Sequence, residues 1–150
     1  MGKMVNIVVD ASGSMAEDDK NAVVKYLLIG ISHAVELEPL CDIEFSLYQW
    51  GRTSKKLANL ENAKIEFSGK ASKSELSTLR PLIDENQPLI FISDGNFNSE
   101  EKNSIKTLSH FIVPIFVGVD ADRASLQNIS TEGIVYSVPD FMQALFDACR

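Results

Sequence analysis

The sequence is poor in the residues that soft-metal, redox and nucleophilic chemistry require. Of its 150 residues two are Cys and two are His. Cys41 and Cys149 stand far apart, with no CxxC pair and no Cys/His cluster, which argues against structural zinc. His33 and His110 lack a second His or Cys at ligand spacing and read as structural residues. No apolar run approaches the roughly 20 residues of a membrane-spanning helix. The apolar stretch near the N-terminus is broken by Asn6 and closed by Asp10, too short for a signal peptide. Asn6 also stands where a myristoylation signal needs Ser or Thr. Two thiols without an export signal read as reduced cysteines of a cytoplasmic protein. Basic residues are in deficit as well, fourteen Lys plus Arg against twenty-one Asp plus Glu, for a net charge of −7. That sign argues against nucleic acid or an anionic membrane as partner and leaves a hard cation or a basic protein. There is no GxGxxG, no phosphate-binding Gly-rich loop with Lys-Ser/Thr, and no nucleophile elbow around Ser12.

The remainder is ordinary for a folded domain. The chain is 45% apolar and 23% charged, as globular domains are. Its length suits one domain over residues 1–150, able to bury roughly 70% of the unfolded surface without disulfides. Short apolar runs alternate with helical patterns. Val5 to Val9 is a β-branched run ending at Asp10 and predicts a buried strand. Glu17, Asp18 and Asp19 place negative charge at the start of a helix. Val23, Val24, Leu27, Leu28, Ile31, Ala34 and Val35 recur at helical spacing up to Glu36, and Pro39 closes the pattern.

Ile43 to Trp50 predicts a second strand, with Trp50 packing at its edge. A polar connection over 51–62 follows, and Ala63 to Phe67 predicts a short edge strand. Ser72 and Glu75 have capping-box spacing, with Pro81 set to kink or shorten the helix that follows. Leu89 to Ile92, Ile112 to Val119 and Ile134 to Tyr136 predict further strands. Ser99 to His110, Asp122 to Ile129 and Asp140 to Cys149 predict helices, the last with Phe141, Leu145 and Phe146 inward. Strands separated by crossover helices make an α/β domain. The expectation is a doubly wound, Rossmann-like open sheet. It is mostly parallel, with about six strands, helices on both faces and one short antiparallel edge strand.

Open α/β sheets bind ligands beyond the carboxyl ends of their strands. Asp10-Ala11-Ser12-Gly13-Ser14-Met15 follows the first strand and Ser93-Asp94-Gly95 follows the fourth. Gly69-Lys70-Ala71-Ser72-Lys73-Ser74 precedes the capping-box helix, with Lys70 and Lys73 reading as a solvated face. Asp and Ser offer hard oxygens, which suit Mg²⁺ and not zinc or copper. Ser12 and Ser14, two apart in a turn, can point both hydroxyls the same way, with Gly13 letting the backbone bend. The Asp-x-Ser-x-Ser string alone arises by chance in about 4% of chains this long. Its place at a strand end, and the second strand-end Asp about eighty residues on, sharpen it. The plain alternative is that these are turn and cap residues.

With these motifs the sequence resembles the von Willebrand factor A domain family. Asp10-Ala11-Ser12-Gly13-Ser14-Met15 is similar to that family's metal motif, the first part of its metal-ion-dependent adhesion site. Phe91-Ile92-Ser93-Asp94-Gly95 is similar to its strand-four Asp motif, and Ile115 to Asp120 to its fifth strand. The likeness covers essentially the whole chain. The family supplies a Thr from the loop before the third helix. Here that loop is Gly69-Lys70-Ala71-Ser72, and Ser72 is its nearest hydroxyl, with Ser74 next.

The resemblance implies a metal site of Asp10, Ser12, Ser14, Asp94 and Ser72 holding Mg²⁺, with Mn²⁺ or Ca²⁺ as alternatives. Residual positive charge on the ion would take an Asp or Glu from a partner protein, with Asn96, Phe97 and Asn98 as the rim. No bond need be broken, so a binding module is expected, not an enzyme. Relatives suggest an accessory or adaptor subunit of an intracellular bacterial complex, working with an AAA+ ATPase or a signalling or stress-module protein. Two other readings stay open. One is a metal-independent scaffold. The other is a small Mg²⁺-dependent phosphohydrolase using Asp10 and Asp94, which would need more carboxylates and a base within reach.

Overall fold

A computed structural model describes residues 3–37, 40, 42–69 and 72–149. The chain begins with β1 (Lys3–Asp10) and continues through α1 (Lys20–Ala34), β2 (Ile43–Trp50), β3 (Lys55–Leu57) and α2 (Lys73–Leu79). It then runs through β4 (Leu89–Ser93), α3 (Ser99–Lys106), β5 (Ile112–Phe116), α4 (Arg123–Ile129) and α5 (Phe141–Ala148). The sheet order is β3-β2-β1-β4-β5. All pairs are parallel except β3 with β2. The expected α/β class, the mostly parallel sheet and its single antiparallel edge strand are therefore present.

The two faces follow from the period of two along a strand. Val5, Ile7 and Val9 of β1 enter one apolar cluster with Val24, Leu27, Leu28 and Ile31 of α1 and Ala144, Leu145 and Ala148 of α5. Val8 enters the other, with Leu76 and Leu79 of α2, Ile105 of α3 and Leu126 and Ile129 of α4. Each fully buried Val, Leu or Ile among them contributes about 1.5–3 kcal/mol relative to staying exposed. A central strand buried on both faces explains why Ile7, Val8 and Val9 are apolar in succession.

Several elements differ from the sequence expectation. The antiparallel edge is Lys55–Leu57, paired through Leu47↔Leu57, while Ala63 to Phe67 forms no strand. Ala63, Ile65 and Phe67 instead pack their side chains against the α1 face. Residues 134–136 make one isolated parallel bridge, Ile115↔Tyr136, beside β5, so the regular sheet has five strands where about six were expected. The helix predicted from the acidic run starts later. Asp18 and Asp19 have φ of 52° and 62°, and a 3-10 turn over Gly13–Ala16 precedes them. They are thus not first-turn charges of α1.

Pro81 acts as expected: α2 stops at Leu79 and a 3-10 turn spans Arg80–Leu82. Trp50 is 1% exposed and lies in the second cluster, not at a sheet edge. Phe146 is 37% exposed, against the inward position expected for it, whereas Leu145 is fully buried. The residues Pro39, Cys41, Lys70 and Ala71, on which sequence expectations also fell, lie outside the described residues.

Candidate metal centre

The carboxyl ends of three adjacent parallel strands, β1, β4 and β5, put their following loops side by side. Asp10 closes β1 and is 1% exposed. Its carboxylate is held on both oxygens. Ser12 N–H donates to Oδ1 at 3.0 Å and Ser93 Oγ donates to Oδ2 at 2.7 Å. Ser93 Oγ in turn accepts from Gly95 N–H at 2.9 Å. The Ser93 hydroxyl therefore ties the end of β1 to the turn after β4. In the sequence Ser93 stands within the strand-end motif of Asp94 with no role of its own.

The loop after β1 is fixed from its own backbone. Ala11 N–H donates to Trp50 O at 2.7 Å, Ser68 N–H to Ala11 O at 3.1 Å and Gly13 N–H to Gly69 O at 2.8 Å. So anchored, Ser12 Oγ and Ser14 Oγ come to 3.1 Å of each other. Both serines line an open cavity of about 410 Å³, together with Gly69, the Asn96–Asn98 stretch and Glu101. Adjacent oxygens around octahedral Mg²⁺ lie about 2.9 Å apart, given metal–oxygen distances near 2.1 Å. The serine pair thus fits two neighbouring positions around a small hard cation. Among the described residues no group of three or more His, Cys, Asp or Glu gathers as a metal cluster, so the donors here are mainly hydroxyls.

Asp94 follows β4 and is 3% exposed. Its Oδ1 accepts from Asn96 N–H at 3.1 Å and its Oδ2 from Lys20 Nζ at 3.2 Å. Lys20 also meets Asp120, in the loop after β5, at 2.9 Å. Neither Lys20 nor Asp120 was singled out from the sequence. A lysine beside an acidic run reads as one more solvated charge, yet this one is 1% exposed. Burial works to lower its pKa, but hydrogen bonds to Asp120 and Asp94 outweigh it, and the net shift is upward. Lys20 is therefore an ammonium ion. The Asp120 carboxyl is held below its usual range by the hydrogen bond from Lys20.

The remaining residues expected at the site have other contacts. Ser72 Oγ caps α2, accepting from Glu75 N–H at 3.4 Å, and lies 2.9 Å from Ser74 Oγ. Its carbonyl accepts from Trp50 Nε1 at 2.9 Å. Ser72 is not among the residues lining the cavity of Ser12 and Ser14. Glu75 does not complete the capping box back to Ser72; its Oε2 accepts from Ser54 N–H at 3.1 Å. Ser72→Ala is expected to cost about 1 kcal/mol of stability through loss of the cap. Cation affinity should be unchanged. Paired urea unfolding and metal titration check this, and weaker metal binding would make Ser72 a ligand.

Phe97 folds back instead of standing free. Its ring centroid lies 6.4 Å from that of Trp50 and 6.0 Å from that of Phe91. Asn98 is committed to α3, forming a capping box with Glu101. Of the three residues expected at the rim, Asn96 and Asn98 are exposed and Phe97 is half-buried, all three line the cavity, and the Asn96 N–H holds Asp94.

Burial pushes the Asp10 carboxyl up to about 6, against downward pulls from Ser93 and Ser12 and with a further upward push from Asp94. The folded form thus holds a proton that the unfolded form, near 3.8, has released. The associated stability is complete below pH 3.8 and lost as pH rises through about 6, a loss of about 3 kcal/mol from this group. Metal-free protein should show that decline relative to Asp10→Asn in urea unfolding from pH 4 to 7. Parallel curves for the two proteins would refute it.

No family model and no curated sequence matches the chain. Solved structures do match in shape. An aerotolerance-related membrane protein from Bacteroides fragilis, solved with multiple mutations to serines, superposes with a TM-score of 0.71 at 15% identity, covering 98% of both chains. The manganese-loaded TRAP protein of Plasmodium vivax gives 0.63 at 17% identity, over 85% of this chain and 62% of that one. A von Willebrand factor type A structure from Catenulispora acidiphila gives 0.64 at 13% identity, over 98% of this chain and 41% of that one. Among the described residues no helix is long and apolar enough to cross a membrane. With its sheet order, its strand-end loops and these neighbours, the chain has the fold of a von Willebrand factor A domain.

Proposed function

We propose that this chain is a protein-binding module whose contact runs through a divalent cation, Mg²⁺ or Mn²⁺. Asp10, Ser12 and Ser14 would hold the ion. The observation that carries this reading is the convergence of two serine hydroxyls, 3.1 Å apart, on an open cavity beside a pinned carboxylate. A manganese-loaded protein of the same fold supports it. When bound, the ion supplies a positive centre with open positions for an Asp or Glu of the partner.

The chain's own residues do the rest. Ser93 and the Ser12 N–H orient the Asp10 carboxylate. The loop anchors at Trp50, Ser68 and Gly69 hold the two hydroxyls in place before any ligand arrives. Asn96 lies at the cavity wall, where a partner side chain would enter.

The test is thermal unfolding with Mg²⁺, Mn²⁺ or EDTA. A ligand bound only by the native state raises the melting temperature by mass action. The rise should be present in wild type and absent in Asp10→Ala and in Ser12→Ala/Ser14→Ala. An equal rise in those variants would place the ion elsewhere. No rise in wild type would favour the metal-free scaffold.

A further inference from the structure

We propose that Lys20 is the resident counter-ion of Asp94, a positioning residue that keeps this carboxylate out of direct metal coordination. This rests on the cation-bridge reading above. The cation then leans on Asp10, Ser12 and Ser14, and keeps its positive character for the partner's acidic group.

The geometry is specific. Lys20 Nζ reaches Asp94 Oδ2 at 3.2 Å and Asp120 Oδ1 at 2.9 Å, with its side chain 2% exposed. A lysine is rarely buried to this degree unless its charge is paired. The backbone is bent to deliver it. Asp18 and Asp19, immediately before Lys20, both occupy the left-handed region, which residues other than glycine adopt seldom. Space is also reserved for it: at Gly118, with φ of +94°, a Cβ would lie 2.6 Å from Lys20 Cε and 2.8 Å from Asp120 Oδ1. Loops from two strand ends, after β4 and β5, thus meet the start of α1 on one ammonium ion.

The charges close as well. Asp10, Asp94 and Asp120 carry three negative charges and Lys20 one positive. The two negative charges left over would draw a divalent ion to the site, where its own neighbours would be Asp10 and the two serine hydroxyls. Without Lys20, Asp94 would face the ion as an unpaired carboxylate. A second direct carboxylate would bind the ion more tightly and also quench the charge that a partner must find.

The experiment uses Mn²⁺ alone as the probe. Wild type, Lys20→Met, Asp94→Asn and the double variant are titrated by calorimetry, with circular dichroism confirming the fold. Lys20→Gln stands in if Lys20→Met does not fold. Removing a positive charge raises cation affinity through space in any background, so the informative quantity is the coupling. Loss of Lys20 should tighten Mn²⁺ binding at least about tenfold more when Asp94 is present than when it is Asn. Water-proton relaxation should report one fewer water on Mn²⁺ in Lys20→Met than in wild type, as Asp94 enters. If wild type binds Mn²⁺ but the cycle is additive and the water count is unchanged, Lys20 does not gate Asp94 and this inference alone is overturned. If neither wild type nor folded Lys20→Met binds Mn²⁺, the cation bridge itself fails and takes the inference with it.

Discussion

Gly95→Ala should destabilise the protein by about 3–5 kcal/mol, far more than an ordinary surface substitution. Gly95 has φ of +80°, and a Cβ there would collide with the backbone carbonyl of Asp122. The obstacle is main chain and cannot rotate aside. Moving it would break the hydrogen bond from Asp122 N–H to Asp94 O at 2.8 Å, which joins the loops after β4 and β5. It would also shift the Gly95 N–H that orients Ser93, and through Ser93 the Asp10 carboxylate. The substitution should therefore lower cation affinity together with stability. Urea unfolding and Mn²⁺ titration of the same preparation measure both. A loss below about 1 kcal/mol would mean that the two loops can separate without cost.

This coupling between turns explains what the sequence could and could not disclose. Four of the five strands are apolar or alternating runs and lie where periodicity puts them. The exception is the edge. Ala63 to Phe67 alternates like a strand, but its apolar residues serve the α1 face from an irregular segment, while the lysine-rich Lys55–Leu57 takes the hydrogen bonds of β2. From the sequence 51–62 reads as a polar connection, and only tertiary packing makes Lys55–Leu57 the edge. At Ile134 to Tyr136 the side chains suit a strand, yet one bridge to Ile115 is all that forms.

The site divides in the same way. Asp10, Ser12 and Ser14 were legible because one short loop carries all three and a strand end fixes its place. Ser93 and Lys20 were not, because their roles depend on partners 83 and 74 residues away. Nothing in the local string Glu17-Asp18-Asp19-Lys20 distinguishes a buried ammonium from a solvated one. The informative local signal, a pair of left-handed aspartates, belongs to the backbone and not to composition. Phe97 reads from the sequence either as a partner contact or as a loop residue that folds back, and its surroundings come from distant strands: its ring packs against Trp50 of β2 and Phe91 of β4 while the residue still lines the cavity.

Chelation should reduce partner affinity by at least about 100-fold, beyond what loss of one rim hydrogen bond would do. The reason lies in the charge left behind. Without the cation, an incoming Asp or Glu would approach a site backed by the buried carboxylates of Asp10 and Asp94, with Lys20 already shared between Asp94 and Asp120. A site that attracted a carboxylate then repels it, which is how a cation requirement becomes near-absolute. Asp10→Ala should act like chelation. Asn96→Ala, at the exposed cavity wall, should weaken the partner and leave the cation in place. Phe97→Ala is a poorer probe of the rim, because its ring belongs to the Trp50–Phe91 cluster and its loss lowers stability too. A partner captured from lysate in Mg²⁺ serves for calorimetry in Mg²⁺ and in EDTA, with wild type and each variant. Its own acidic contact residue should be found by the same logic: neutralising it should cost as much as chelation, and the two losses should not add, because each removes one half of a single bridge. Binding that survives EDTA undiminished would leave the serine loop and the cavity as a metal-free docking surface.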